Sequence, residues 1–254
     1  MPGRSMDKMF GPFGETDQVA ANIAWRSPSM FVFDPEVVHQ CSMECLGLPK
    51  PQMFDVFGRS LAKHYPKVLD FRQPWVYSIA GGAMIEMKLY YASVTEYIMV
   101  WGTPIGSEGH SGRHFTGFWD TVIDGEMWYY GEGEFEKKVY KPGDRVYVGP
   151  GQARAMNFTN GVWATEYARG FIPASVPFGI AEEIFVCWDL LTATQTLSLY
   201  TDLVAQSFGQ KYAGLKPVTD SVSRLAYKVT KALIPSPEVS KIPEKNIRWF
   251  QRKT

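Results

Sequence analysis

The chain has 254 residues, of which 45% are hydrophobic and 15% aromatic, and its 26 Lys and Arg balance its 26 Asp and Glu. These values are typical of a folded globular protein and exclude wholesale disorder, and the balanced charge without a zinc-finger or helix-turn-helix pattern argues against nucleic-acid binding. The three cysteines, Cys41, Cys45 and Cys187, form neither a disulfide framework nor a metal site, and the first two are expected to be reduced core residues on one helix face.

The first part of the chain predicts a tail followed by two helices. Residues 1–29 are polar and interrupted by Pro and Gly, which predicts a flexible tail without a signal peptide. Asp34 and Pro35 favour the start of a helix, because Asp caps helix N-termini and Pro fits the first helical position. A second helix is expected over residues 52–65, with Pro66 as its stop.

A different pattern runs from Trp75 to about Arg169. Short segments rich in Val, Ile, Tyr, Trp and Phe alternate with turn signals about ten residues apart, such as Asn160-Gly161. This pattern predicts a small antiparallel β-barrel or jelly roll. The surplus of aromatic residues favours an apolar ligand cavity or a membrane-facing surface.

Helical periodicity returns after Pro173. One apolar face is expected to carry Ala181, Ile184, Phe185, Trp188 and Leu191, and a further helix is expected to end near Gln206. These two helices are expected either to cap the barrel mouth or to touch lipid. No run of about 18 uncharged apolar residues occurs, so no segment is expected to span a bilayer.

The end of the chain is basic. An apolar stripe of Val222, Leu225, Val229 and Leu233 lies beside Arg224, Lys228 and Lys231. This pattern fits an interfacial helix on anionic lipid, and equally a solvated surface helix with a loose tail. The predicted organisation is therefore a flexible polar tail (1–29), a barrel domain with capping helices (30–210) and a basic C-terminal extension (211–254).

Two acidic residues lie on apolar faces of predicted strands. Glu166 shares its strand face with Ala164, and Asp120 shares its face with Phe118 and Val122, because strand side chains alternate in direction. If these faces point into the barrel, burial raises the pKa of both carboxyl groups, and the pair shares a proton. Such a pair can move a proton onto and off a carbon–carbon double bond and stabilise the carbocation between the two steps. The alternative for each acid is an outward strand position or a structural hydrogen bond.

Several motifs agree in order and spacing with one known family. They are Ala80-Gly81-Gly82, the segment EYIMVWGTPIGSEGHSGRH at 96–114, Tyr140-Lys141-Pro142-Gly143, and EYARGFIP at 166–173. Together they resemble the sigma-1 receptor and fungal C-8 sterol isomerase family, from about Phe31 to about Gln210. The resemblance implies an α+β fold: a cupin-like antiparallel β-barrel with N-terminal helices and two C-terminal membrane-facing helices, assembled as a homo-trimer.

The resemblance also implies roles for individual residues. Glu166 matches the family glutamate that pairs with a ligand ammonium or a cationic intermediate, Asp120 matches the receptor's second acid, and Tyr97 matches the tyrosine that orients the glutamate. The positions similar to those lining the ligand cavity are Met87, Trp101, Ser175, Val176 and Phe178. Phe118, Val122 and Ala164 join this set as the neighbours of the two acids on their strand faces.

The chain departs from the family pattern in two places. The segment TGFWD at 116–120 looks more like the receptor than the isomerases, and a polar start stands where the family has an N-terminal transmembrane helix. The four histidines, at positions 39, 64, 110 and 114, lack the ligand spacing of a metal cupin, so neither a metal nor another cofactor is expected.

Three functions follow from these residues, in order of preference. The first is an acid-catalysed isomerase of a sterol or terpenoid double bond, with Glu166 and Asp120 as the acid–base pair and lipophilic amines as inhibitors. The second is a terpenoid cyclase that uses the same pair. The third is a non-enzymatic receptor for lipophilic amines or sterols. In each case we expect peripheral membrane contact. The expected location is the surface of the endoplasmic reticulum membrane or the cytoplasm.

Overall fold

The computed structural model describes residues 31–233. Helix α1 (Pro35–Met43) begins at the expected cap, where a carboxylate oxygen of Asp34 accepts a 2.8 Å hydrogen bond from the backbone N–H of Glu36. Helix α2 (Gln52–His64) follows, and its apolar positions face inward because they recur with helical spacing. Cys41 and Cys45 are fully buried core residues, as expected, but only Cys41 belongs to the helix, because α1 ends at Met43.

Ten strands follow the two helices. They are β1 (Val76–Ala80), β2 (Ala83–Ala92), β3 (Glu96–Thr103), β4 (Ser107–His110), β5 (Thr116–Gly125), β6 (Met127–Tyr130), β7 (Lys138–Tyr140), β8 (Arg145–Val148), β9 (Ala155–Phe158) and β10 (Val162–Gly170). A six-stranded sheet has the order β1-β2-β3-β10-β5-β8, and a four-stranded sheet has the order β4-β9-β6-β7. Every strand pair is antiparallel. The expected mixture of helices and antiparallel sheet is therefore confirmed, with the strands of the expected barrel divided between two sheets.

Because side chains alternate along a strand, neighbouring residues of the six-stranded sheet pack in two different hydrophobic cores. On β3, Met99 and Trp101 pack between the two sheets, whereas Ile98 and Val100 pack on the opposite face. Helices α1 and α2 cover that opposite face through buried side chains such as Phe57. The six-stranded sheet therefore carries a hydrophobic core on each of its two faces.

Three more helices complete the described chain: α3 (Val176–Phe185), α4 (Leu190–Lys211) and α5 (Lys216–Ala232). Helix α3 packs against β1, and α4 packs against β1, β2 and α5. No helix within residues 31–233 has the length and apolar character needed to cross a bilayer.

A buried carboxylate attaches α5 to the rest of the fold. Asp202 in α4 is fully buried and accepts hydrogen bonds from the Gln73 amide at 2.7 Å, the Gln206 amide at 2.9 Å and the Ser223 hydroxyl. The first part of the basic extension is thus a helix packed on α4. The tail at 1–29 and the extension beyond 233 lie outside the described residues.

The expected apolar stripe of α5 is only partly covered by the rest of the fold. Ala226 and Thr230 are buried, whereas Val222 is 41% exposed and Leu225 is 66% exposed. Small and hydroxyl side chains allow the close approach of α5 to α4, Val222 lies beside α4, and Leu225 remains on the outer face.

Candidate active site

A cavity lies between the two sheets, below α3 and α4. About 210 Å³ of it is accessible to the centre of a water molecule, within a larger space that opens to solvent. Its wall is mostly apolar and includes nine of the residues selected from the sequence: Met87, Tyr97, Trp101, Phe118, Asp120, Glu166, Ser175, Val176 and Phe178.

The two candidate acids meet in this cavity. Glu166 on β10 is the direct cross-strand partner of Asp120 on β5, so their side chains leave the sheet on the same face. A hydrogen bond joins the two carboxyl groups. Both acids line the cavity; Asp120 is only 3% exposed, and Glu166 keeps partial exposure.

Two donors from β3 hold the acid pair. The Tyr97 hydroxyl donates to Oε1 of Glu166, and the Trp101 indole N–H donates to Oδ1 of Asp120 at 3.1 Å. Both donors lie on the inward face of β3, which pairs with β10. Burial raises the pKa of Tyr97 well above its ordinary value, so the phenol stays protonated as a donor.

Burial changes the protonation of the two acids. It raises the pKa of Asp120 to about 6, against the opposing effect of hydrogen bonds from Glu166 and Trp101. Burial raises the pKa of Glu166 further, and the negative charge of Asp120 adds to this rise. The pair therefore holds one proton near neutral pH, mainly on Glu166, and titrates as a unit.

Two residues selected as ligand contacts lie outside the cavity wall. Val122 and Ala164 are fully buried core residues on the expected inward faces, but neither lines the cavity. Ala164 pairs with both Val122 and Trp101, and the Trp101 ring packs against Phe158 with centroids 5.2 Å apart. These two large rings fill the interior at this level, so the small side chains beneath them are covered.

Other wall residues were not selected from the sequence. Tyr129 lies on the inward face of β6, and Thr196, Leu199 and Tyr200 follow helical spacing on α4. His114 packs edge-on between Phe118 and Phe178, and burial lowers its pKa. The periodicity of α4 was a usable signal, whereas the position of His114 depends on a loop that periodicity does not describe.

The described residues contain no cluster suited to a metal ion. No group of three or more His, Cys, Asp or Glu side chains with that geometry occurs between residues 31 and 233. His110 and His114 instead bond locally, with the Gly112 backbone N–H and the Ser111 backbone oxygen.

Comparison with known proteins assigns the family. Residues 17–211 match the family described as "ERG2 and Sigma1 receptor like protein". The chain belongs to this family. Helix α5 lies beyond the matched residues, whereas the whole acid pair and cavity lie within them.

Relatives in the ERG2 and Sigma1 receptor like family have two kinds of name. The sigma non-opioid intracellular receptor 1 of Danio rerio is 34% identical over 178 residues, which are 69% of this chain and 80% of that protein. The C-8 sterol isomerase of Pyricularia oryzae is 34% identical over 176 residues, which are 67% of this chain and 80% of that protein. The chain is therefore equally similar, at 34% identity, to a protein named as a receptor and to one named as a sterol isomerase.

Solved structures with weaker similarity are named as cupins and related proteins. An RmlC-like cupin from Shewanella frigidimarina is 19% identical, with a TM-score of 0.34, and the match covers 40% of this chain and 87% of that one. A predicted oxalate decarboxylase from Thermotoga maritima is 13% identical, with a TM-score of 0.34 and coverage of 41% and 98%.

Proposed function

We propose that the protein is an acid-catalysed isomerase of a sterol carbon–carbon double bond. The observation that carries this proposal is the hydrogen-bonded pair of Glu166 and Asp120, with raised pKa values, in the wall of a mostly apolar cavity. An apolar ligand excludes water there, and a carboxylic acid that keeps its proton near neutral pH is a competent general acid.

The proposed reaction moves one proton onto the substrate and takes another off. Protonated Glu166 donates to one alkene carbon, so the π bond breaks, a C–H bond forms and the neighbouring carbon becomes a cation. The carboxylates of Glu166 and Asp120 then stabilise this cation in a site of low dielectric constant. Loss of a proton from an adjacent carbon to the pair forms the shifted double bond and restores the acid. Tyr97 and Trp101 orient the two carboxyl groups through their hydrogen bonds.

The second candidate is a receptor for lipophilic amines or sterols that does not turn its ligand over. The relative from Danio rerio, which is named as a receptor, favours it. An ammonium ion would occupy the place of the carbocation beside Glu166, so amine binding alone does not separate the two candidates. A terpenoid cyclase would use the same acid, and product analysis separates it from an isomerase.

We also propose peripheral membrane contact and assembly as a trimer. Large apolar side chains are exposed where α3 meets α4, and Trp188 there is 79% exposed. Such a patch at the end of a helix that lines the cavity is suited to an interfacial location.

The test is incubation of the purified protein with a Δ8-sterol in D₂O, followed by mass spectrometry of the extracted lipid. The wild type should yield a sterol with a shifted double bond and one deuterium, because the carboxyl proton exchanges with solvent. Glu166→Gln should abolish this product, whereas Glu86→Gln, which changes a half-buried glutamate of β2 outside the cavity, should retain it. Unchanged sterol with intact amine binding would support the receptor, and a cyclised polyene would support the cyclase.

A further inference from the structure

One hydroxyl in the cavity wall has no hydrogen-bond partner. Thr196 lies on the face of α4 that lines the cavity, together with Leu199 and Tyr200. Its Oγ1 atom is buried, and no described group donates to it or accepts from it. Buried polar groups are normally paired, so a lone hydroxyl in the wall of a cavity indicates a partner that a ligand supplies.

Two other helix threonines, Thr194 and Thr230, satisfy their hydroxyls locally. Thr194 donates to the Leu190 backbone oxygen at 2.7 Å, and Thr230 donates to the Ala226 backbone oxygen at 3.1 Å. This bond to the carbonyl four residues earlier is the usual resource of a helical Thr. Thr196 does not make it.

The remaining polar side chains of the wall are mostly paired with protein groups. Tyr97 and Trp101 donate to the acid pair, and Ser175 lies 3.4 Å from the Thr116 hydroxyl. Ser78, which is 4% exposed, is a second hydroxyl in the wall and belongs to β1, against which α4 packs.

These hydroxyls lie in a different part of the wall from the acids. Strands β2 and β3 separate β1 from β10. Ser78 pairs with Ile85, whereas Leu89, four residues further along β2, pairs with Met99, the cross-strand partner of Glu166. A ligand that contacts both regions must carry its polar atom away from the carbon that reacts at the acid pair.

We infer that Thr196, together with Ser78, forms a second polar subsite that recognises the hydroxyl or carbonyl oxygen of an otherwise apolar ligand. This inference rests on the proposed sterol function and deepens it. The acid pair acts on the double bond, and the Thr196 subsite selects an oxygenated sterol over a plain hydrocarbon. A site built to pair with a ligand oxygen rejects the analogue that lacks it, because its own polar group is then left unpaired.

The test is a direct competition between cholest-8-en-3β-ol and its 3-deoxy analogue for the purified full-length protein, with bound lipid quantified by mass spectrometry. The wild type should favour the hydroxysterol by about tenfold or more. Thr196→Val keeps the side-chain shape and should abolish most of this preference, and Ser78→Ala should reduce it. Thr194→Val is the matched control, because Thr194 is exposed on the same helix and bonds to its own backbone.

The melting temperature and the relative uptake of the two sterols separate loss of the subsite from loss of the fold. Thr196→Val should not lower the melting temperature of the ligand-free protein, because no protein hydrogen bond is lost. Equal uptake of the two sterols by the wild type, or a preference that survives in Thr196→Val, would overturn the subsite and leave the isomerase proposal standing. Binding of neither sterol would overturn both.

Discussion

The Tyr97 hydroxyl donates a hydrogen bond to Oε1 of Glu166 from the neighbouring strand. Tyr97 pairs with Ala168, two residues from Glu166 on the same face of β10, so the phenol reaches the carboxyl group diagonally across the ladder. This bond opposes the rise that burial causes in the pKa of Glu166, because it stabilises the charged carboxylate.

Tyr97→Phe is expected to raise the pH at which the acid pair becomes protonated. A lipophilic ammonium binds the anionic pair, so its affinity falls as pH decreases through the pKa of the pair. Without the Tyr97 donor, the charged form loses a hydrogen bond, and the midpoint of this fall should move up by about one pH unit. Equilibrium binding of a radiolabelled amine from pH 5 to 9 measures the midpoint.

The control for this shift is another cavity tyrosine. Tyr200→Phe removes a hydroxyl that donates to the Ser93 backbone oxygen and does not contact the acids. Its binding midpoint should match that of the wild type. An unmoved midpoint in Tyr97→Phe would show that the tyrosine only fills space.

Asp120→Asn should separate catalysis from binding. The negative charge of Asp120 raises the pKa of Glu166, so its removal lets Glu166 lose its proton at lower pH. Less Glu166 is then available as an acid, and the alkaline limb of the kcat/KM profile for sterol isomerisation should move to lower pH. Turnover at pH 7.5 should fall about tenfold or more, while amine binding persists.

Asp124→Asn provides the comparison on the same strand. Asp124 lies four residues further along β5 and pairs with Lys50 at 2.5 Å at the partly exposed edge of the fold. The pH profile of kcat/KM for Asp124→Asn should match that of the wild type. An Asp120→Asn enzyme with a wild-type pH profile would contradict the coupling of the two acids.

Strand alternation predicted the faces of the two acids but not the contact between them. Alternation alone placed Glu166 and Asp120 on apolar strand faces, and both faces do point inward. Their direct pairing depends on β10 inserting between β3 and β5, which is a long-range choice that local periodicity does not encode. The family resemblance supplied that information, because it matched Tyr97 and both acids together.

Ala164 and Thr196 show what the assignment of residues to strand and helix faces does not predict. Ala164 shares the inward face of Glu166, yet the Trp101 and Phe158 rings cover it, and only packing decides which inward residue reaches the cavity. Thr196 lies on a helix that was expected from the sequence, but its unpaired hydroxyl is visible only when all neighbouring groups are located. Helix starts were more predictable, since a single side chain such as Asp34 determines them.

Glu183 is expected to destabilise the fold above neutral pH. It is 1% exposed on α3, and neither carboxyl oxygen has a hydrogen-bond partner of ordinary geometry. Burial raises its pKa to about 7; the nearby Ile79 N–H opposes the rise, and the charge of Asp189 adds to it. The unfolded chain releases this proton near the ordinary value of about 4.5, so the contribution of Glu183 to stability is lost as pH rises from there to 7.

Glu183→Gln should therefore stabilise the protein by about 3 kcal/mol at pH 8 and by little at pH 4. Urea unfolding at a series of pH values measures the difference. Glu182→Gln is the adjacent control, because Glu182 is a partly exposed residue whose carboxylate accepts from the Gly82 N–H at 2.9 Å. A gain for Glu183→Gln that is equal at both pH values would contradict the raised pKa.

The exposed apolar corner between α3 and α4 is expected to hold the protein on lipid. Phe185 is 76% exposed, Val186 68% and Trp188 79%, and the corner follows directly from the helix that lines the cavity. Interfacial binding scales with the apolar area that enters the lipid, so Phe185→Ser combined with Trp188→Asn should weaken binding to anionic vesicles by about tenfold or more. Asn suits position 188 because the backbone there has a φ of 55°, a left-handed conformation that Asn tolerates.

Co-sedimentation with phosphatidylserine-containing vesicles measures this loss. The matched control is Phe135→Ser, which removes a fully exposed aromatic ring from the loop between β6 and β7. That variant should sediment like the wild type, and the double variant should keep its affinity for a soluble lipophilic amine, because neither residue lines the cavity. Wild-type sedimentation of the double variant would mean that the corner does not meet the membrane, and the exposed stripe of Val222 and Leu225 on α5 would then be the surface to change next.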